Sequence, residues 1–223
     1  MPPPKVLVIE REYTKPGKAG ALHEKSESAF VNALAAAKWP THYLAATLDR
    51  DNVTDGELLD KVQQSVYLYD PDLSLHAGDV VHSRYFEIYH YKIKPGHRAE
   101  WQELVKLYQS GYAKIPNANW ALYASYYGED NGGIYLAISR MTSLAEDDAS
   151  LNDDKKFADA LGPDGMKKVT ELTAACVDSV QNNLFTFSPK MSYPAEEWIK
   201  ADPFWKPKPA SAAAAKKPAP ANP

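Results

Sequence analysis

The chain lacks most of the signatures that would name a chemistry. Cys176 is the only cysteine in 223 residues, which excludes an intramolecular disulfide and a thiolate metal cluster. It falls at an apolar position of a helical pattern, where an inert buried thiol belongs. The formal charge is only -4 at pH 7, so neither nucleic acid nor an anionic membrane is implied as a partner. No apolar run approaches the roughly 18 residues of a membrane span, and Met1-Pro-Pro-Pro-Lys5 is not the apolar stretch of a signal peptide. A soluble protein is expected, cytoplasmic or an exported mature form. Gly-x-Ser-x-Gly, His-Glu-x-x-His and Gly-x-Gly-x-x-Gly are all missing, which leaves no nucleophile elbow, zinc-protease helix or dinucleotide loop.

Histidines do not fill the gap. His90 and His97 stand on a strand and beyond its turn, too far apart to converge on a metal. His76, Asp79 and His82 crowd one linker without enough ligands for zinc. His42 beside Tyr43 reads as a packing histidine, and the acidic run Glu146-Asp147-Asp148 as a solvated helix edge. No metal and no cofactor is expected.

Strands and helices are plainer. Val6 to Tyr13 is rich in β-branched residues and reads as a strand closed by Lys15-Pro16-Gly17. From Ala21 to Trp39, Leu22, Ala29, Phe30, Ala33, Leu34 and Ala37 recur at helical spacing. Thr41 to Leu48 is a second strand, Asp55 to Gln63 a short helix, and Ser65 to Tyr69 a strand closed by Asp70-Pro71. Tyr85 to Ile93 is a strand that turns at Lys94-Pro95-Gly96 into a helix with Trp101, Leu104, Val105, Tyr108, Tyr112 and Ile115 on one stripe. Asn119 to Glu129 and Ile134 to Met141 form a hairpin around Asp130-Asn131-Gly132-Gly133. Ser143 to Val180 is helical with a break at Gly162-Pro163, and Leu184 to Phe187 is the last strand.

The two halves repeat. Tyr13-Thr-Lys-Pro-Gly17 aligns with Lys92-Ile-Lys-Pro-Gly96, Thr41 to Thr47 with Asn119 to Ser125, and Val66 to Ser74 with Leu184 to Ser192. The first copy then lacks about forty residues that in the second hold a strand and the front of a helix. Residues 1–78 form an abbreviated unit and 79–193 a complete one. Residues 194–206 are an aromatic extension expected to dock. Residues 207–223 are a Pro/Ala/Lys tail expected to be disordered, since it cannot offset the ordering cost of roughly 1–2 kcal/mol per residue.

A βαββαβ plan that opens with strand, Lys-Pro-Gly and helix, present twice, resembles the dimeric α/β-barrel superfamily. The nearest look is to NIPSNAP-like and antibiotic-biosynthesis-monooxygenase-like proteins, over Val6 to about Tyr193. The resemblance implies an α+β fold of two tandem ferredoxin-like units with facing antiparallel sheets. The first unit lacks its third strand and most of its second helix, so seven strands, or a barrel completed by another chain, are expected. Relatives include cofactor-independent oxygenases, isomerases, haem enzymes and proteins without known activity. The Asn, Trp and His set of the oxygenases has no clear counterpart here, and His23 lies beside its helix's apolar stripe rather than in it.

Strand alternation sorts the faces. Phe86, Ile88, Trp120, Leu122, Ile134, Leu136 and Ile138 are assigned to the helix-covered side. Glu87, Tyr89, Tyr91, Tyr123 and Tyr135, with Glu10, Glu12 and Tyr43 of the first unit, are assigned to the opposite side. Together with Tyr67, Tyr69 and Tyr127, this gathers eight of the fourteen tyrosines. One reading is a cavity of at least about 300 Å³ for a small apolar or aromatic ligand, with Glu87 or Glu10 available as base. The other is a tyrosine-filled sheet or dimer interface, each hydroxyl satisfied by a carboxylate or water. A homodimer whose second copy caps the open sheet edge is a third expectation.

Overall fold

The computed structural model describes residues 2–14, 21–48, 59–128 and 133–206. The fold is α+β. Seven strands form one antiparallel sheet: β1 (Val6–Thr14), β2 (Ala46–Leu48), β3 (Leu59–Leu75), β4 (Tyr85–Ile93), β5 (Trp120–Tyr127), β6 (Ile134–Met141) and β7 (Val177–Phe187). Their order is β1-β3-β5-β6-β4-β7-β2, so the first and last places belong to strands of the N-terminal third.

One face of this sheet carries two helices. After β4 the chain turns at Lys94-Pro95-Gly96, where Gly96 takes φ +86°, a conformation open to glycine because it has no Cβ. There α2 (Arg98–Tyr112) begins, and its spacing of apolar residues places Trp101, Leu104 and Val105 almost wholly out of solvent. Helix α4 (Asp153–Cys176) breaks at Gly162, which stands at φ +67° before Pro163. It lies against α2 so closely that a Cβ on Gly111 would overlap the Phe157 ring. Between the helices and sheet, Leu122, Tyr135, Trp101, Leu172 and Cys176 form the larger core. Each large side chain buried there contributes about 1.5–3 kcal/mol.

The other face buries itself. Tyr67, Ile88, Tyr123, Ile134 and Leu136 pack with Leu7, Ile9, Phe86 and Phe185, side chains from six strands and no helix. Such a face leaves water only if the sheet curls around it.

A third cluster closes one end. Helix α5 (Glu196–Ala201) and a 3₁₀ turn, Pro203–Trp205, bring Trp205 to full burial among Phe187, Trp198 and Phe204. The Trp205 indole donates to the Val81 carbonyl at 2.6 Å. Asp202 accepts from the Phe204 amide at 2.9 Å and from Arg84 Nη2 at 2.7 Å, with His82 Nδ1 at 3.3 Å. Elsewhere α1 (Ala21–Ala36) attaches through Glu24 to Lys190 at 2.5 Å and through Ser28 to the Lys190 carbonyl at 3.2 Å. Helix α3 (Ala145–Ser150) is a short solvated link before α4.

Several expectations are corrected. Residues 59–63 are strand, not helix, because they pair with Thr14 to Arg11 of β1. Strand β3 passes through Asp70-Pro71 to Leu75, shifting register there, since the Asp70 carboxylate accepts from the Asp72 and Leu73 amides and spans the irregularity. Val177 to Val180 are strand rather than helix, drawn into pairing with β4. The second strand shrinks to Ala46–Leu48 plus one bridge, Tyr43 to Tyr193. Among the described side chains of α1, Val31 is the buried one, while Phe30 is exposed. The turn at Lys15-Pro16-Gly17, the hairpin tip at 129–132 and the tail from Pro207 lie outside the described residues.

Candidate functional site

The sequence predicts one shared face for Glu87, Tyr89, Tyr91, Tyr123, Tyr135, Glu10, Glu12 and Tyr43; the structure divides them. Tyr91 and Tyr135 pack in the helix-covered core. Tyr89 stacks on Tyr91 at 6.1 Å, and Glu87 shares their parity on β4. Tyr123 belongs to the opposite, curled face beside Tyr67 and Tyr69, and its hydroxyl donates to the Pro4 carbonyl at 3.2 Å. Phe86, Ile88, Ile134, Leu136 and Ile138, expected under helices, sit with it. Glu10 is exposed, on the side of β1 away from Leu7 and Ile9. Tyr43 donates to Glu27 Oε1 at 2.7 Å beside α1, and the Glu12 side chain lies outside the described residues.

The cause is burial of both faces. Alternation assigns sides only when one side is wet. Here β4, β5 and β6 carry apolar residues on both sides, so parity could not be carried from strand to strand.

What the structure does assemble is a strip on the helix side. Antiparallel partners stand on the same face, so β4 presents Tyr85, Glu87, Tyr89 and Tyr91 in line. Thr186, Leu184 and Asn182 of β7 lie alongside on one flank, and Met141, Ser139 and Ala137 of β6 on the other. The inner end is closed by Trp101, 4.9 Å from Tyr91, and by Tyr108, Tyr112 and Phe157 stacked at 4.6–5.5 Å. The outer end opens into a groove of about 340 Å³ lined by Tyr85, Thr186, Leu144, Ser143, Phe187 and Phe204. Arg84 lies over the Phe204 ring at 4.1 Å and forms part of the wall. The groove is open to solvent at the strand ends, and not the enclosed tyrosine-lined cavity that the sequence suggests.

Glu87 is the charged group of this strip. Its Oε1 accepts from Asn182 Nδ2 at 2.9 Å. Burial pushes its pKa up, against hydrogen bonds from Asn182 and Tyr89 that pull it down, and the Asp147 carboxylate adds to the rise. Burial likewise raises the phenols: Tyr89 and Tyr91 upward, Tyr112 to about 12. These phenols therefore stay protonated donors through neutral pH.

Of the residues expected from the sequence, Glu87, Tyr89, Tyr91 and Tyr135 stand on this side of the sheet, and Asn182, Thr186, Leu144 and Phe204, which were not expected, lie along the strip or its groove. The alternation of Asn182, Leu184 and Thr186 with Asn183, Phe185 and Phe187 is the signal for them, and it extends N-terminal to the expected strand Leu184 to Phe187. Among the described residues no group of three or more His, Cys, Asp or Glu could hold a metal ion, and no helix is long and apolar enough to cross a membrane.

No family model matches the chain, and no curated protein is similar to it in sequence. Solved structures are similar in fold. An anthrone oxidase-like protein is 11% identical with a TM-score of 0.52, over 83% of this chain and 92% of that one. A provisionally named monooxygenase from Fusobacterium nucleatum is 12% identical with a TM-score of 0.49, over 82% and 91%. Another, from Lactobacillus acidophilus, is 10% identical with a TM-score of 0.44, over 82% and 94%.

Proposed function

We propose that the protein binds a small, mainly apolar molecule in the groove at the outer end of the β4 strip. The observation that carries this reading is the groove itself. Its walls include the aromatic and aliphatic side chains of Tyr85, Leu144, Phe187 and Phe204, and Glu87 stands two residues along β4 from Tyr85 on the same side. Leu144, Phe187 and Phe204 supply apolar area, and the Tyr85 and Thr186 hydroxyls supply direction. Titration with a flat aromatic probe, 1-naphthol, tests it. Saturable amide shifts at Tyr85, Leu144 and Thr186 are expected, and Leu144→Glu should abolish them. Shifts confined to other parts of the molecule would reject the groove.

One observation favours an enzymatic second reading, the raised pKa of Glu87 beside Asn182 and Tyr89. A carboxylate so placed can remove a proton from an activated carbon acid, with neighbouring phenols donating to the resulting enolate. A cofactor-independent oxygenase or isomerase would use that step. Anthrone is the first substrate to try, since one fold neighbour is named for it. Oxygen consumption should fall by about 10²–10⁴-fold in Glu87→Gln. An unchanged rate would remove Glu87 from the chemistry.

The sheet order supports reading the chain as two ferredoxin-like units, 1–78 and 79–193, with 194–206 as a docked extension. Strands β5-β6-β4-β7 with α2 and α4 follow the βαββαβ plan, and β3 and β2 of the first unit flank that block on opposite sides. A pseudo-twofold would set the first unit's missing strand between β1 and β2, where the sheet order ends.

A further inference from the structure

A second, smaller pocket lies away from the β4 strip. It has about 150 Å³ of space and is lined by His76, Asn117, Ala118, Asn119, Arg140 and Glu146. Its groups are unevenly satisfied. Asn119 is used up: its Nδ2 donates to the carbonyls of Asn117 and Arg140 at 2.7 and 3.1 Å, and its Oδ1 accepts from the Arg140 amide at 3.0 Å. His76 Nδ1 meets the Ala118 carbonyl at 3.0 Å. Glu146 Oε1 accepts from the Thr142 amide and hydroxyl, which leaves Oε2 unused.

Arg140 is the exception. Its Nε is buried without a partner, and among the described residues its guanidinium forms no ion pair. Gly78 lies beside it, where a Cβ would stand in ordinary contact, 3.4 Å from Nη2. Leaving a buried charged donor unmatched is costly, and native structures seldom do so without a reason. Glu146 lines the same small pocket, yet the two opposite charges do not pair. The walls are held by two residues in the left-handed region, His76 at φ 45° and Asn117 at φ 66°. Such conformations persist where the surroundings over-determine them, often at binding sites.

We propose that this pocket binds a free α-amino acid, its carboxylate on Arg140 and its ammonium on Glu146. A guanidinium fork matches a carboxylate, and a single bridging zwitterion satisfies both charges that the protein leaves apart. At about 10–15 Å³ of such space for each water-sized group, the pocket has ample room for five non-hydrogen atoms. That is the backbone portion of an amino acid, with any side chain directed out through the open mouth.

Nuclear magnetic resonance titration of the labelled full chain with glycine tests this, with acetate, methylamine and inorganic phosphate as comparators. Saturable shifts at the amides of Ala118, Asn119 and Arg140 are expected with glycine, weaker ones with acetate, and none with methylamine. Arg140→Gln and Glu146→Gln should each weaken glycine binding by at least about tenfold. Glu146→Gln keeps the oxygen that caps Thr142, so its effect does not depend on refolding the loop. Glu146→Gln should leave acetate binding unchanged or tighter. No saturable response to glycine in the folded chain up to tens of millimolar overturns the proposal. Phosphate binding that matches glycine and ignores Glu146→Gln overturns it too, in favour of a plain anion site.

Discussion

Glu87 and Asp202 respond to pH in opposite senses, and the difference is measurable at the level of single side chains. Burial raises the Glu87 pKa from its ordinary 4.5, so the folded state holds that proton more tightly than the unfolded chain does. Its ionisation therefore costs stability, a cost absent below pH 4.5 that grows until the raised value is passed. Thermal melts should find Glu87→Gln more stable relative to wild type near neutral pH than at pH 4, and a constant difference would contradict the assignment. At Asp202, burial pushes the pKa up but is outweighed by the Phe204 amide, Arg84 and His82, so the carboxyl titrates below its ordinary 3.8. Asp202 stabilises the fold above pH 3.8, and that contribution disappears as the pH falls through its lowered value. In Asp202→Asn the acid-side loss of stability should be shallower. Trp205 is wholly buried, and Trp205→Ala should cost about 3–5 kcal/mol in urea denaturation. A cost below about 1 kcal/mol would mean that the extension is only loosely held.

Between α2 and α4 the contact depends on one missing side chain. Gly111 faces the Phe157 ring with no space for a Cβ, so Gly111→Val should separate the helices and cost about 1–3 kcal/mol, read from the denaturation midpoint. The sequence shows this layer well. The stripe of Trp101, Leu104 and Val105, the turn at Lys94-Pro95-Gly96 and the break at Gly162-Pro163 all lie where spacing and backbone freedom put them. It shows β3 poorly, because Leu59-Asp-Lys-Val-Gln-Gln64 has no strand alternation and becomes strand only by pairing with β1. It also hides which residues of β4 to β6 meet the helices, since a strand with apolar residues on both sides carries no label for either. Half of the candidate strip was readable for that reason: Glu87, Tyr89 and Tyr91 stand on one strand, whereas Asn182 and Thr186 require knowing that β7 lies beside it. Outward on β1, Val6 and Val8 are 52% and 54% exposed and Leu68 of β3 adjoins them. The outward side of β1 and the adjoining part of β3 is thus open to solvent.

Across the whole molecule, the curled face ties the two proposed units into one cooperative body. Tyr67, Leu7 and Ile9 come from the first, and Ile88, Tyr123, Ile134 and Leu136 from the second. A fragment of residues 79–206 should therefore keep helix and strand by circular dichroism while exposing that face, bind a hydrophobic dye and self-associate. A fragment that stays monomeric and dye-silent would mean that the units are energetically independent. The C-terminal anchor adds a matter of timing. Trp205 fills a space bounded by Val81, Phe187 and Phe204, and Arg84 is tied to Asp202 beside it. In the order of synthesis these residues follow every described strand and the helices α1, α2 and α4, so the hollow that Trp205 fills stands uncapped until they emerge.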